Sequence, residues 1–361
     1  MLPFSELKIK YTQFIDKNGS QVNELPAWAE NQELLIEFYQ WMVLTRIFDK
    51  KAVAFQRTGK LGTFASVLGQ EAIGVGIGYA MEKTDLFVPY YRDYATMMIR
   101  GVLMREILQY WGGDERGNNY QNNAKDFPLC IPIASQVTHA CGVASAFKIR
   151  GEKHAVVVTC GDGATSKGDF LESLNLAGAW QLPIVIVVNN NQWAISVPRS
   201  IQCAAPTLAQ KAVGAGIFGE QVDGNDAIAV KEVVHKALLK ARAGKGPTLI
   251  EAISYRLCDH TTADDATRYR KAEEVNAAWE REPIKRLQTF LHQRGWWNEK
   301  QERQLIESCQ AKVEIATQEY LAVEPQTPGA MFDHLYQNLP HSLEQQYEQV
   351  IAKTLRLRER E

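Results

Sequence analysis

Two apolar runs constrain this chain more tightly than anything else in it. AVVVTC (155–160) and PIVIVVNN (183–190) are apolar at consecutive positions, not alternate ones, and rich in β-branched residues. A strand with one wetted face alternates; a strand covered on both faces does not. Between them, GDFLESLNLAGAWQ (168–181) repeats its apolar positions with a helical period. The same rhythm recurs in QVTHACGVASAFKIRG (136–151) and AVKEVVHKALLKARAG (229–244), and PTLIEAISYR (247–256) reads as a further strand. Apolar strands joined by helices make a parallel sheet with helices on both faces, so the fold class is α/β.

Around this centre the pattern changes. Residues up to about 30 are polar and mixed and read as an extension; a helical period runs from Asn31 to about Thr58. GQEAIGVGIGYAM (69–81) reads as a helix in which Gly74 and Gly78, one turn apart, permit close packing. LFVPYY (86–91) reads as a strand, TMMIRGVLMREILQYW (96–111) as one helix, and GGDERGNNYQNNAKDF (112–127) as a long polar loop of the kind that carries function. After Tyr269 come two charged helical stretches, 273–293 and 300–320. The segments are therefore 1–45 (extension and first helix), 46–270 (the α/β domain) and 271–361 (a helical region).

Composition narrows the partners. A net charge of −2 over 361 residues points away from nucleic acid or an anionic membrane, and no window has the unbroken apolar length of a membrane span. The six cysteines are scattered without a CxxC pair, which fits a reduced cytoplasm better than a zinc site or disulfide framework. The start, MLPFSELKIKYTQF, has polar and acidic residues where a signal peptide needs an apolar core. GAGIFG (214–219) matches GxGxxG, but no apolar strand leads into it and EQVDG after it reads as strand and turn, so a dinucleotide site is rejected.

The chemistry lies at the two strand ends. CGDGATSKG (160–168) sets Asp162 between two glycines, and the next strand ends in Asn189, Asn190 and Asn191, then Gln192 and Trp193. Either piece alone reads as a polar turn. Together, at the carboxyl ends of consecutive strands, they offer a carboxylate, amide oxygens and backbone carbonyls, the hard oxygen donors suited to Mg²⁺ or Ca²⁺. The glycines let backbone N–H groups approach a phosphate, and a helix starting near Gly168 turns its positive end to the same place. Asp162 is most simply a metal ligand that holds a diphosphate.

The segment from Gly161 to Ser196, GDGATSKGDFLESLNLAGAWQLPIVIVVNNNQWAIS, resembles the thiamine diphosphate motif, in the form found in alpha subunits of 2-oxo acid dehydrogenases. The resemblance extends to TRIFDKKAVAFQRTGKLG, GQEA (69–72), PYYRD (89–93), PIASQVTHACGVASAFK (132–148), VDGND (222–226) and HTTADDATRYR (260–270). It implies thiamine diphosphate and Mg²⁺ as cofactors, with Asp162 and Asn191 as side-chain metal ligands and Trp193 as a ligand through its carbonyl. It places Tyr91 and Arg92 on the diphosphate, with Gly163 and Ala164 beside it, and the backbone of Ile131 and Ile133 near the aminopyrimidine ring. His260 matches the histidine that contacts the diphosphate and helps acylate a lipoyl group; Thr261 stands where animal relatives carry a regulatory serine. The implied reaction is oxidative decarboxylation of a 2-oxo acid, pyruvate foremost, with branched-chain 2-oxo acids or acetoin as alternatives. The implied partners are a beta subunit, in an α2β2 heterotetramer, and a lipoyl-bearing dihydrolipoyl acyltransferase. A fold that has lost its cofactor is the rival reading, and the intact Asp162, Asn191, Tyr91, Arg92 and His260 argue against it.

Overall fold

The structure, a computed structural model, describes residues 8–123 and 125–358; the first seven residues of the start assessed for a signal peptide lie outside it. A short strand β1 (Lys10–Thr12) precedes helices α1 (Gln32–Arg57) and α2 (Glu71–Ala80). Strand β2 (Leu86–Val88) leads into α3 (Tyr94–Ile99), α4 (Met104–Trp111) and α5 (Ser135–Arg150). Then β3 (Val156–Gly161), α6 (Gly168–Ala179) and β4 (Ile184–Asn190) form the central alternation. A hairpin of β5 (Trp193–Ala194) and β6 (Val197–Pro198) follows, then α7 (Arg199–Gln202), α8 (Lys211–Gly214), β7 (Phe218–Asp223), α9 (Ala227–Arg242) and β8 (Thr248–Ile253). Helices α10 (Ala272–Trp279), α11 (Pro283–Gln293), α12 (Glu299–Leu321) and α13 (His341–Arg358) complete the described chain.

The main sheet has the order β1-β7-β8-β4-β3-β2 and every pairing in it is parallel. All of β4 is buried, which is why its sequence cannot alternate. Val156, Val158 and Cys160 of β3 and Ile184, Ile186 and Val188 of β4 share one core with Ala140 and Cys141 of α5 and Phe170 and Leu174 of α6. The intervening residues point to the opposite face, against which α9 packs. Contacts divide the chain into a unit ending at Thr317 and a second from Gln318; in the second, the Phe332 ring meets Tyr347 edge-on at 5.5 Å. Among the described residues no helix is long and apolar enough to cross a membrane.

Three local readings are corrected. The stretch 96–111 is two helices, because Gly101 takes a φ of 102° and Glu106 restarts the helix by accepting the Leu103 N–H at 2.9 Å. The stretch 273–293 also breaks, where the Glu282 carboxylate caps α11 by accepting from Lys285 N at 2.6 Å and Pro283 opens it. The N-terminal extension contributes an edge strand, held by Asp226, whose carboxylate accepts the Phe14 and Ile15 N–H groups at 2.7 and 2.9 Å. The rejected GAGIFG stretch runs from helix α8 into strand β7, the reverse of a dinucleotide fingerprint. The polar loop after α4 is pinned through Asp126, which accepts from Arg100 Nε at 2.5 Å.

Helix α2 carries a glycine on each of two contact faces. Gly74 and Gly78 face Ala95 and Ile99 of α3, so that close-packing surface is used within this chain. On the other side, a Cβ at Gly76 would stand 2.6 Å from Val230 Cβ of α9. Gly76→Ala should gain about 1 kcal/mol of helix propensity but lose about 1–3 kcal/mol to overpacking at a β-branched neighbour that cannot swing aside. We expect net destabilisation, read as a lower midpoint in thermal denaturation; an unchanged or higher midpoint would show that α2 and α9 can move apart freely.

Candidate functional site

Register brings the strand tips together. Gly161 of β3 lies opposite Asn189 of β4, so Asp162 leaves the sheet beside the exit of Asn190 and Asn191. Next to them is a cavity of about 210 Å³. Tyr91, Arg92, Asp162, Asn191, Trp193 and His260 all line it, as do Ile133, Gly163 and Ala164. Ile131 does not; its side chain is 44% exposed. The backbone bends sharply just beyond it, where Ala134 takes a φ of 71°.

The expected cation ligands are Asp162, Asn191 and the Trp193 carbonyl. Asp162 is 1% exposed and its Oδ2 has no hydrogen-bond donor among the described residues. Burial pushes its carboxyl up to about 6, against the pull of backbone N–H groups and of Arg256 and Arg92. A buried carboxylate oxygen without a donor is expensive, and a cation is what would satisfy it. The asparagines divide their work. Asn189 donates to Tyr90 Oη at 2.8 Å and Asn190 to Glu251 at 2.7 Å, so both brace the sheet. Asn191 donates its amide hydrogens to Gln70 Oε1 at 3.1 Å, which turns its own oxygen away from Gln70. Among the described residues no group of three His, Cys, Asp or Glu side chains could hold a metal, so a cation here must rely on mixed oxygen donors. The Trp193 carbonyl, one of them, already accepts from Arg256 Nη1 at 3.1 Å and keeps a second lone pair.

The basic groups lie beside them. Arg92 is buried, with Nη1 on the Ser66 carbonyl and Nη2 donating to the His260 carbonyl at 2.6 Å. Its guanidinium stacks 5.2 Å from the centre of the Tyr91 ring. Arg256, also buried, donates to the Ile195 carbonyl and to Tyr269 Oη, both at 2.8 Å. Among the described residues neither arginine forms an ion pair with a carboxylate. Two buried guanidiniums met only by neutral acceptors make a strongly positive wall. His260 Nδ1 lies 3.2 Å from Arg92 Nη2 and 3.4 Å from Arg256 Nη1. Guanidinium only donates, so Nδ1 accepts and the ring proton sits on Nε2. Burial and these two arginines push the imidazole down to about 4, so it is neutral near pH 7.

A strained hairpin covers the GDG turn. Gln192 and Ile195 take φ values of 71° and 57°, and a positive φ at a β-branched residue is costly. The Ile195 carbonyl is thereby offered to Arg256, and a Cβ at Gly163 would stand 2.8 Å from Ala194 Cβ. Sequence reasoning missed Arg256, Ile195 and Gln70. For Arg256 the signal was present: a charge directly after the buried strand PTLIEAISY.

The profile of the family described as "Dehydrogenase E1 component" matches residues 39–328. The chain is 40% identical over 346 residues to the pyruvate dehydrogenase E1 component subunit alpha of Staphylococcus aureus (strain Mu50), covering 95% of this chain and 93% of that one. Against the protein of the same description from Staphylococcus epidermidis (strain RP62A), identity is 38% over the same shares of the two chains.

The unsatisfied carboxylate makes a test of the cation reading. A carboxyl raised to about 6 in the folded chain costs nothing at low pH, where it is protonated in the native state. Its penalty appears as pH rises through that value, to at most about 3 kcal/mol for a shift of roughly two pH units. Asp162→Asn should therefore raise the thermal midpoint of the metal-free protein at pH 8, and leave it nearly unchanged at pH 4. A lower midpoint at pH 8 would mean that the carboxylate is satisfied without a cation.

Proposed function

The chain belongs to the dehydrogenase E1 component family, and we propose that it is the alpha subunit of a pyruvate dehydrogenase of that family. Enzymes of the family use thiamine diphosphate, with Mg²⁺ typical. The observation that carries the reading for this site is its charge pattern. A buried carboxylate oxygen without a donor stands beside two buried guanidiniums without carboxylate partners. A metal diphosphate brings both of the opposite charges these groups call for.

In this reading Asp162 and Asn191 would hold Mg²⁺ by side-chain oxygens and Trp193 would hold it by its carbonyl, the hard oxygen donors that the ion takes. Arg92, stacked on Tyr91, presents its fork to the diphosphate, and Arg256 adds charge while it fixes the hairpin that carries Trp193 and Ile195. Bound there, thiamine diphosphate supplies the nucleophilic carbon and electron sink that decarboxylation of a 2-oxo acid requires. His260 offers a neutral Nε2–H donor and holds no charge that would compete with the cation. Its place at the cavity rim fits the expected role in acyl transfer to a lipoyl group. Ile133, Gly163 and Ala164 line the remaining wall, and Ile131 would contribute only through its backbone.

Among the described residues Asp162 is the one acidic side chain lining the cavity, and in this reading it is committed to the cation. Thiamine activation also needs a carboxylate at the aminopyrimidine end of the cofactor, so half of the site must come from elsewhere. We assign that half to a beta subunit in an α2β2 assembly, with a lipoyl-bearing dihydrolipoyl acyltransferase as acceptor and the cytoplasm as location. Ile131, Ile195 and Val197 are exposed around the site, where such a partner would cover them. Coexpressed with its cognate beta subunit, the chain should turn over pyruvate in preference to 2-oxoisovalerate and acetoin, and alone it should turn over none of them. Comparable turnover by the isolated chain would end the half-site reading; preference for 2-oxoisovalerate or acetoin would move the assignment to those substrates.

A further inference from the structure

A planar amide has two ends of nearly equal size, and only the oxygen end binds a cation. The site described above therefore requires something to choose which end of Asn191 faces it. The side chain of Gln70, the residue before α2, is 1% exposed, makes no capping bond to that helix, and does not line the cavity. Its Oε1 lies 3.1 Å from Asn191 Nδ2 and 3.3 Å from Tyr90 Oη.

The direction of this network follows from its ends. Trp193 N–H can only donate, and it reaches Asn191 Oδ1 at 3.3 Å. The amide nitrogen of Asn191 must then face Gln70, which must answer with its oxygen. On the other side Tyr90 Oη receives a hydrogen bond from Asn189 Nδ2 at 2.8 Å and passes its own proton to Gln70 Oε1. The Asn189 oxygen is in turn fixed by Ser254 Oγ at 2.8 Å. Gln70 Nε2, by contrast, has no hydrogen-bond partner among the described residues. The molecule uses the oxygen of this glutamine and leaves its nitrogen idle, which is hard to explain if Gln70 were only a packing residue.

We propose that Gln70 is a positioning residue for the metal site: by accepting the Asn191 amide hydrogens it holds the Asn191 oxygen toward the cation. The inference rests on the functional reading above for the presence of Mg²⁺ and goes beyond it in assigning Gln70. It makes a prediction that a purely structural role does not. A carboxylate at position 191 has two equivalent oxygens and needs no orientation, so Asn191→Asp should make Gln70 dispensable.

The test is Mg²⁺ titration of the apo complex with its beta subunit at saturating thiamine diphosphate, read by calorimetry, with thermal midpoints alongside. Gln70→Met, nearly isosteric and without a strong acceptor, should weaken Mg²⁺ binding by about tenfold or more, the usual cost of losing an outer-shell partner. Gln70→Glu keeps the acceptor and should retain wild-type affinity or better. Gln70→Met combined with Asn191→Asp should recover most of the loss. Unchanged affinity in Gln70→Met, or a loss that Asn191→Asp fails to restore, overturns the proposal. If Gln70→Met does not fold, Gln70→Glu decides alone: retained affinity supports the acceptor role and lost affinity refutes it. Wild-type complex that binds thiamine diphosphate without Mg²⁺ would instead refute the functional reading on which this rests.

Discussion

The register between β3 and β4 is the constraint on which the rest of the site depends. Because Gly161 pairs opposite Asn189, the carboxylate and the asparagines emerge at one point. A slip of one residue would turn every side chain of a strand to the other face. Here that would exchange the residues facing α5 and α6 for those facing α9, in strands buried on both sides. Two full hydrophobic faces thus fix the position of a metal site that is itself polar. Helices α5 and α6 on one face and α9 on the other hold that register, and α5 also lines the cavity through Gln136.

Charge is arranged against the grain of that core. Arg92, Arg256 and Asp162 are all buried, and each spends its hydrogen bonds on backbone or neutral side chains. Isolated charges in such surroundings are costly, but a dry and preorganised site also makes each of them act more strongly on a bound ion. The hairpin after β4 adds strain at Ile195 for the same purpose, since it is there that two carbonyls meet Arg256. Stability is given up at the centre and recovered in the sheet around it.

The segment that carries His260 is held by its own polar contacts. Asp264 accepts the His260 N–H at 2.9 Å and the Tyr269 hydroxyl, while Tyr269 also meets Arg256. Arg270 clasps the carbonyls of Arg256 and Cys258, and Thr262 pairs with Phe64 in both directions, at 2.9 and 3.0 Å. The clustered charges of CDHTTADDATRYR are therefore a brace. They hold one neutral imidazole in the cavity lining, 3.2 Å from Arg92 Nη2 and 3.4 Å from Arg256 Nη1.

Sequence alone determined the parallel sheet and the place of Asp162 and Asn191 at its strand ends, because each depends on something local; Tyr91 and Arg92 were placed only by the family resemblance. Apolar runs buried on both faces announce themselves by failing to alternate, and strand ends are where such sheets bind ligands. The break before Pro283 was missed, although the capping glutamate and the proline are local signals of it. The partners of these residues were not legible. Gln70 stands 121 positions from Asn191, and β1 joins the sheet through an aspartate more than 200 residues away. Which amide end faces a cation, which nitrogen of His260 carries the proton, and whether Arg256 finds a carboxylate are decided by groups distant along the chain. Hydrogen bonding and charge act over a few ångströms of space, and only the tertiary structure brings those ångströms together.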